Sequence, residues 1–229
     1  MKTDPNAPAD TAMMGIVHTA LRRDLTRTTT ALTAPMPPGQ ARRTALSAHL
    51  VWMMDFLHGH HEGEDAGLWP LMRSLDPSAG ELLDQMEHDH AKISPEIERL
   101  RSAARRYAGD GADAARDGLI EVLTSLRAVL DPHLLREETE MMPIVSRTLT
   151  HARWESFNQE HYVKTKSKTE LGHEGHWLID SLDPAGYTIV VGNVAPIPRF
   201  VLLHAFAGQY ARACATRWGP TVPIKPLAA

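Results

Sequence analysis

The sequence predicts an all-α protein whose main part is an antiparallel up-and-down four-helix bundle, followed by a C-terminal helical extension. Three observations support this prediction. Apolar residues recur every three or four positions in four successive segments between residues 10 and 150. Stretches rich in proline or glycine separate these segments, and strand signals are nearly absent from them. Short connections favour helices that pack beside their neighbours in the chain and alternate in direction.

The first two predicted helices lie on either side of a helix-breaking segment. Residues 1–9 are polar and rich in proline, and we expect them to be flexible. The first apolar stripe ends at residues 34–39, where three prolines and a glycine prevent a helix from continuing. The second pattern runs from about Gln40 to Arg73. The two stripes contain Met14, His18, Leu21, Leu25 and Leu32, and then Leu46, Leu50, Met53, Leu57, His60, Glu64, Leu68 and Leu71.

The third and fourth predicted helices follow a proline start signal. Asp76 reads as an N-cap with Pro77 at the first helical position. The third stripe ends at the loop of residues 109–111, and the fourth reaches about residue 149. These stripes contain Leu82, Met86, His90, Ile93, Ile97 and Leu100, and then Leu119, Leu123, Leu126, Leu130, His133, Glu137, Met141 and Ile144.

The last third of the chain has a weaker pattern. Residues 151–171 read as a polar helix, and a segment rich in glycine, proline and β-branched residues follows Gly172. Within it, Thr188–Val191 could form a short strand. An apolar helix is predicted over Arg199–Trp218. We therefore expect residues 151–218 to form a helical hairpin on the bundle or across a homodimer interface, and residues 219–229 to be a loosely held tail.

Composition excludes several classes of function. The 229 residues carry a net charge of −4, so we expect no nucleic-acid partner and no anionic membrane surface. No apolar run approaches the roughly 20 residues that a membrane helix needs. The first ten residues have no apolar signal core, which predicts a cytoplasmic protein. The single cysteine, Cys214, excludes an intramolecular disulfide and any site that needs several thiolates.

Each predicted bundle helix carries a histidine on its apolar stripe: His18, His60, His90 and His133. On the second and fourth helices a glutamate follows four residues later, at Glu64 and Glu137, on the same helix face. One buried histidine–glutamate pair could be a satisfied hydrogen bond, but two pairs plus two more histidines are hard to explain as packing. A buried carboxylate must be paired, neutralised or metal-bound. Imidazole with carboxylate suits iron or manganese.

An internal repeat supports a site for two metal ions. The segment of residues 60–72 aligns without a gap on residues 133–145, and the histidine, both acidic positions, the apolar pair and the proline coincide. His18 precedes His60 by 42 residues, and His90 precedes His133 by 43. Two helix pairs, each supplying one histidine and one His-x-x-x-Glu, predict a dinuclear site with pseudo-twofold symmetry.

At these residues the sequence resembles the hemerythrin family, the HHE cation-binding four-helix bundles, over roughly residues 10–150. The resemblance implies a hemerythrin-like bundle with two non-heme iron ions in its core, manganese being the less favoured metal. It implies that the four stripe histidines are terminal ligands and that Glu64 and Glu137 are bridges. Members of the family bind or react with dioxygen, and some respond to peroxide, nitric oxide or iron supply.

The match has departures that leave two assignments open. Oxygen carriers of this family have a second histidine one turn after the third-helix ligand, where this chain has Ser94. They also have an aspartate five residues after the fourth-helix histidine, where Glu137 and Glu138 compete for the role here. His61 and Asp65 form a second pair, rotated by about 100° on a helix. The repeat favours His60 and Glu64, and His61 remains a candidate fifth histidine ligand.

We expect this ligand set, with few nitrogen donors, to favour reaction with dioxygen, peroxide or nitric oxide over reversible oxygen carriage. The prediction is an oxidoreductase, either peroxide-consuming or an oxygenase whose small organic substrate enters a pocket made by the C-terminal third. The alternatives are an oxygen- or iron-binding sensor or storage protein without turnover, and a purely structural bundle. His49 is expected at the surface or beside a ligand, and His173 and His176 are expected in a loop.

Overall fold

The structure, a computed structural model, describes residues 4–219 and is helical almost throughout. Within that range it contains no strand, and its one isolated bridge joins Pro8 to Thr150. The helices are α1 Ala12–Leu32, α2 Gln40–Gly63, α3 Trp69–Leu75, α4 Gly80–Gly109, α5 Asp113–Arg136, α6 Met142–Thr148, α7 His151–Asn158, α8 Lys168–Ile179, α9 Pro184–Gly192, α10 Pro196–Ala205 and α11 Ala207–Trp218. Residues 1–3 of the predicted flexible N-terminus and residues 220–229 of the predicted tail lie outside the described residues.

The four long helices α1, α2, α4 and α5 form a helical bundle around the main hydrophobic core. Helix α2 packs on α4, α4 packs on α5, and α1 contacts α5. The predicted stripes face inward: Leu21, Leu50 and Leu57 are fully buried, as are Leu100 and Leu126. Burial of such a side chain contributes about 1.5–3 kcal/mol, so the stripes determine which face of each helix meets the core.

Two π-helical turns interrupt the bundle at equivalent positions of the internal repeat. The turns span Glu64–Leu68 and Glu137–Met141 and join α2 to α3 and α5 to α6. In each, the peptide N–H after the turn bonds to the glutamate carbonyl five residues earlier, from Trp69 in the first turn and from Met142 in the second. A proline follows each of these donors and cannot continue the ordinary bonding pattern. The second and fourth predicted helices are therefore divided, which the stripes alone do not reveal.

The extension is helical, and the predicted strand is wrong. Thr188–Val191 lies inside α9, whose N-cap Asp183 accepts a hydrogen bond from the Gly186 N–H at 2.7 Å. The predicted apolar helix Arg199–Trp218 is two helices that meet at Phe206. Gly172 lies within α8 and does not end a helix. The ring of Phe206 packs directly against it: a Cβ on residue 172 would lie 2.6 Å from Phe206 Cδ2.

Asp24 of α1 connects the extension to the bundle. Its carboxylate is fully buried and accepts hydrogen bonds from His49 Nε2 of α2 at 2.7 Å and from Trp177 Nε1 of α8 at 3.0 Å. Arg23 Nε and Arg27 Nη1 also donate to it, at 2.8 and 3.1 Å. His49 is therefore a buried structural residue and not a surface one. Burial acts to raise the pKa of Asp24, but the hydrogen bond from His49 and the Arg23 guanidinium hold it below its ordinary value.

No helix within residues 4–219 has both the length and the apolar character that crossing a membrane requires.

Candidate metal centre

All seven side chains predicted as ligands are buried and converge in the bundle interior. At most 6% of the surface of any of them is exposed, and four of them are fully buried. They are His18, His60, His61, Glu64, His90, His133 and Glu137. They come from α1, α2, α4, α5 and the two π turns. The histidines and glutamates that the repeat singles out therefore face the same interior region.

The ligand atoms form two adjacent groups of three. One group contains His61, His90 and His133, and the atoms they offer lie within 4.8 Å of one another. In the other group, His18, His60 and Glu137 meet the same limit. Separations of this size are those of atoms placed around a common central ion. The interior thus provides two neighbouring positions, each with three potential donors.

Glu64 lies between these groups, and Glu137, a member of the second group, also comes close to the first. Glu64 Oε1 is 3.3 Å from His60 Nε2, and Glu64 Oε2 is 3.6 Å from His90 Nε2. Glu137 Oε2 lies 3.3 Å from His18 Nε2 and 3.7 Å from His133 Nε2. Each carboxylate therefore has one histidine of either group beside it, which is the arrangement that a bridging carboxylate requires.

The atoms that face the centre have no hydrogen-bond partner among the described residues. This holds for the Nε2 atoms of five histidines and for both carboxylate oxygens of Glu64 and Glu137. An unpaired buried polar group costs roughly 1–3 kcal/mol, and a buried charge costs more. Nine such atoms around one point are a strong physical argument for a bound cation, so the residues present fit a dinuclear metal site.

The neighbouring acidic residues point away from the centre and hold the outer nitrogens of two histidines. Glu138 Oε1 accepts a hydrogen bond from His18 Nδ1 at 2.8 Å and from Arg22 Nη1 at 2.7 Å. Asp65 Oδ1 accepts from His90 Nδ1 at 2.7 Å. Asp65 and Glu138 are equivalent in the repeat, so both halves use their second acidic residue in the same way. Of the competing pair, Glu137 faces the centre and Glu138 does not.

His61 is brought into the centre, although a regular helix turns it away from His60. Its ring stacks on that of His90 with centroids 4.1 Å apart and lies 5.2 Å from the ring of His133. The repeat places Leu134 at the equivalent position of the second half. One group therefore has three imidazoles and the other has two imidazoles and a carboxylate. The interior therefore offers five imidazoles as potential donors. The expectation that few nitrogen donors would disfavour reversible oxygen binding loses its support.

Burial keeps most of these histidines neutral. It lowers the pKa of His60 to about 3 and of His133 to about 4, and it lowers the pKa of His61 well below the ordinary value. Neutral imidazoles have a free nitrogen lone pair, which is the form that binds metals. Burial and the nearby Glu137 raise the pKa of Glu64. This is the direction expected of two carboxyl groups that share a buried site.

Tyr162 is a neighbour of the centre that the sequence could not place. Its hydroxyl donates to the carbonyl oxygen of His60 at 3.1 Å, and its ring lies 5.4 Å from the His60 ring. It comes from the third π turn, Gln159–Val163, 102 residues further along the chain. No local spacing signals such a contact.

His173 and His176 do not join the centre. Both lie in α8 and not in a loop, where His173 contacts the ring of Trp52 and His176 stacks on that of Tyr210. They contribute to the packing of α8 on α2 and α11 and belong to neither donor group.

The family model for the hemerythrin HHE cation binding domain matches residues 11–145 of the chain. Comparison with curated proteins and with solved structures found no match. The matched range includes every residue of the buried centre and ends before the extension. The geometry of the centre and this match agree: the chain belongs to the hemerythrin HHE cation-binding family.

Proposed function

We propose that this protein binds two non-heme iron ions and is an oxidoreductase that reacts with dioxygen, peroxide or nitric oxide. The observation that supports it most strongly is the set of buried, unpaired donor atoms in two adjacent groups. One ion would be held by His61, His90 and His133. The other would be held by His18 and His60, with Glu64 and Glu137 shared between the two.

The donor chemistry favours iron. Imidazole nitrogens and carboxylate oxygens suit iron and manganese, whereas soft metals prefer thiolates. Cys214, the single thiol, is buried in α11 and belongs to neither group. When bound, the iron ions would supply the electron transfer that protein side chains cannot. The protein side chains bury the donors and hold them in place.

The outer partners of the histidines determine which ring nitrogen faces the centre. Glu138 accepts a hydrogen bond from the Nδ1–H of His18, and Asp65 accepts one from the Nδ1–H of His90. The Nε2 lone pairs of these two rings therefore point inward. The same contacts fix the ring planes. These two carboxylates are therefore proposed as positioning residues for the metal ligands.

We also propose that the bundle is antiparallel and up-and-down. For α2 and α4, Ser47 contacts Ala104 while His61 contacts His90, so the start of one helix meets the end of the other. For α1 and α5, Arg127 contacts Thr26 while the turn after α5 meets His18. The short connections between these helices also support this order.

The experiment that tests this function is anaerobic loading of the metal-free protein with ferrous iron. We expect two iron ions per chain by elemental analysis and an optical spectrum that changes on addition of peroxide. Consumption of peroxide without another substrate supports a detoxifying oxidoreductase, and substrate-dependent oxygen uptake supports an oxygenase. A reversible oxygen-dependent band without turnover supports the sensor or storage alternative, and a chain that takes up no iron contradicts the proposal.

Replacement of a positioning carboxylate tests the ligand geometry. We expect Asp65→Ala to weaken ferrous iron binding roughly 10- to 100-fold, because His90 loses the acceptor that orients it. The affinity is measured by competition with a chromophoric chelator. Glu62→Ala is the matched control on the same part of the chain, since the Glu62 side chain is 67% exposed. Equal affinities of both variants would show that Asp65 does not position a ligand.

A further inference from the structure

A cavity of about 410 Å³ lies between the bundle and the extension, beside the proposed iron centre. Its apolar lining comes from α1, α2, α7, α8 and the third π turn and includes Met13, Met14, Phe56, Trp154, Val163 and Leu178. His60 also lines it, so the cavity reaches one of the proposed iron ligands. A cavity of this size and character is typical of sites for small organic molecules.

Three glycines at four-residue intervals determine where the extension closes on α2. A Cβ on Gly63 would lie 2.6 Å from Tyr162 Cε1, and one on Gly67 would lie 2.5 Å from His161 Nε2. The extension therefore packs directly against these two. A Cβ on Gly59 would meet no atom within 4 Å, and Gly59 lines the cavity. The cavity is thus the space that remains where the extension does not cover this row of glycines.

The charged groups in the cavity wall disfavour anions. Among the described lining residues there are four acidic side chains, Asp10, Asp55, Glu155 and Glu174, against a single lysine, Lys166, and three histidines. Asp55 is paired with Arg101, which lies outside the lining, at 2.5 Å. That lysine is already paired with Glu174 at 2.5 Å and lies 5.0 Å above the ring of Phe56. An anionic ligand would therefore meet the carboxylates of Asp10 and Glu155, which form no ion pair among the described residues, and no lysine or arginine of the described lining that lacks an acidic partner. A neutral apolar molecule would meet mainly side chains of its own polarity.

We propose that this cavity binds a neutral, apolar organic molecule of about 10–20 non-hydrogen atoms, with one end at His60. This inference rests on the proposed function, for which it names the class of substrate. The ligand site is made jointly by the hemerythrin-type bundle and by residues 151–178, which lie outside the matched family range.

The test uses two fluorescent probes that differ by one anionic sulfonate group. Each probe is added to the metal-free protein. N-phenyl-1-naphthylamine is neutral, and 8-anilino-1-naphthalenesulfonate has the same ring system with a sulfonate. We expect the neutral probe to bind with a fluorescence increase and at least tenfold more tightly than the sulfonate. Equal affinities, or tighter binding of the sulfonate, would overturn the proposal.

Substitution of Gly59 locates the probe. We expect Gly59→Leu to fill the cavity and to weaken binding of the neutral probe at least tenfold. Gly15→Leu is the matched control, because Gly15 is also helical, has open space around it and does not line the cavity. Unchanged probe affinity in Gly59→Leu would overturn the assignment.

Iron uptake separates this inference from the function on which it rests. A protein that binds two iron ions but not the neutral probe overturns the cavity proposal and leaves the iron centre intact. A protein that binds the probe at Gly59 but takes up no iron supports the cavity and overturns the proposed function.

Discussion

Iron binding is expected to be lost when His133→Leu and Glu137→Gln are combined. His133 belongs to one group of donors and Glu137 to the other, so the double variant removes a ligand from both proposed iron positions. Elemental analysis after anaerobic loading measures the effect, from two iron ions per chain to none.

The control for this experiment is His173→Gln combined with His176→Gln. These histidines lie in α8 and outside both donor groups, so this variant should retain two iron ions per chain. Thermal unfolding of the metal-free proteins shows whether either variant has lost its fold. Retention of two iron ions by the His133 and Glu137 variant would contradict the ligand assignment.

The second large effect is a loss of stability on substitution of Asp24, which belongs to neither donor group. Asp24→Ala should destabilise the protein by about 3–5 kcal/mol, because it removes the buried carboxylate that accepts hydrogen bonds from Arg23, His49 and Trp177. Arg27 loses the same partner but stays paired with Asp180 Oδ2 at 2.6 Å. Urea unfolding at pH 7 measures the difference in the free energy of unfolding. A loss below about 1 kcal/mol would show that Asp24 does not hold the extension on the bundle.

The control and the pH dependence follow from the same geometry. Asp117→Ala removes an exposed partner of Arg116 and should change stability by less than about 1 kcal/mol. Because the pKa of Asp24 is lowered in the folded state, its contribution is fully present above the ordinary value of 3.8. It is lost as pH falls below that value towards the folded pKa. The difference in stability between parent and Asp24→Ala should therefore narrow in acid.

Much of the fold is predictable because apolar periodicity determines which helix face is buried. The stripes identify α1, α2, α4 and α5 and their inward residues. The features that the stripes do not reveal depend on backbone hydrogen bonding and on helix start signals. The π turns need knowledge of hydrogen bonding around a proline. The segment Thr188–Val191 is β-branched yet helical, because the N-cap Asp183 and the following Pro184 start a helix there. Local propensity is overridden by such start signals.

The centre is predictable to the extent that its spacing is local. His60 with Glu64, and His133 with Glu137, follow from a four-residue interval on one helix face. His61 is harder to predict, because adjacent residues on a helix point about 100° apart. In the structure the side chains of these two adjacent histidines reach different donor groups: His60 lies in one group and His61 in the other. The contacts of Tyr162 and Asp24 join distant parts of the chain, and no interval in the sequence reveals them.

Leu134, opposite His61 in the repeat, has a consequence for how the two halves work. A duplicated hairpin with identical halves would offer two equal positions. Here the donor group of His18, His60 and Glu137 has one imidazole fewer than the group of His61, His90 and His133, and the cavity meets His60 of the group with fewer imidazoles. The duplication is thus asymmetric at its centre, since His60 is the one candidate ligand among the described residues that lines the cavity.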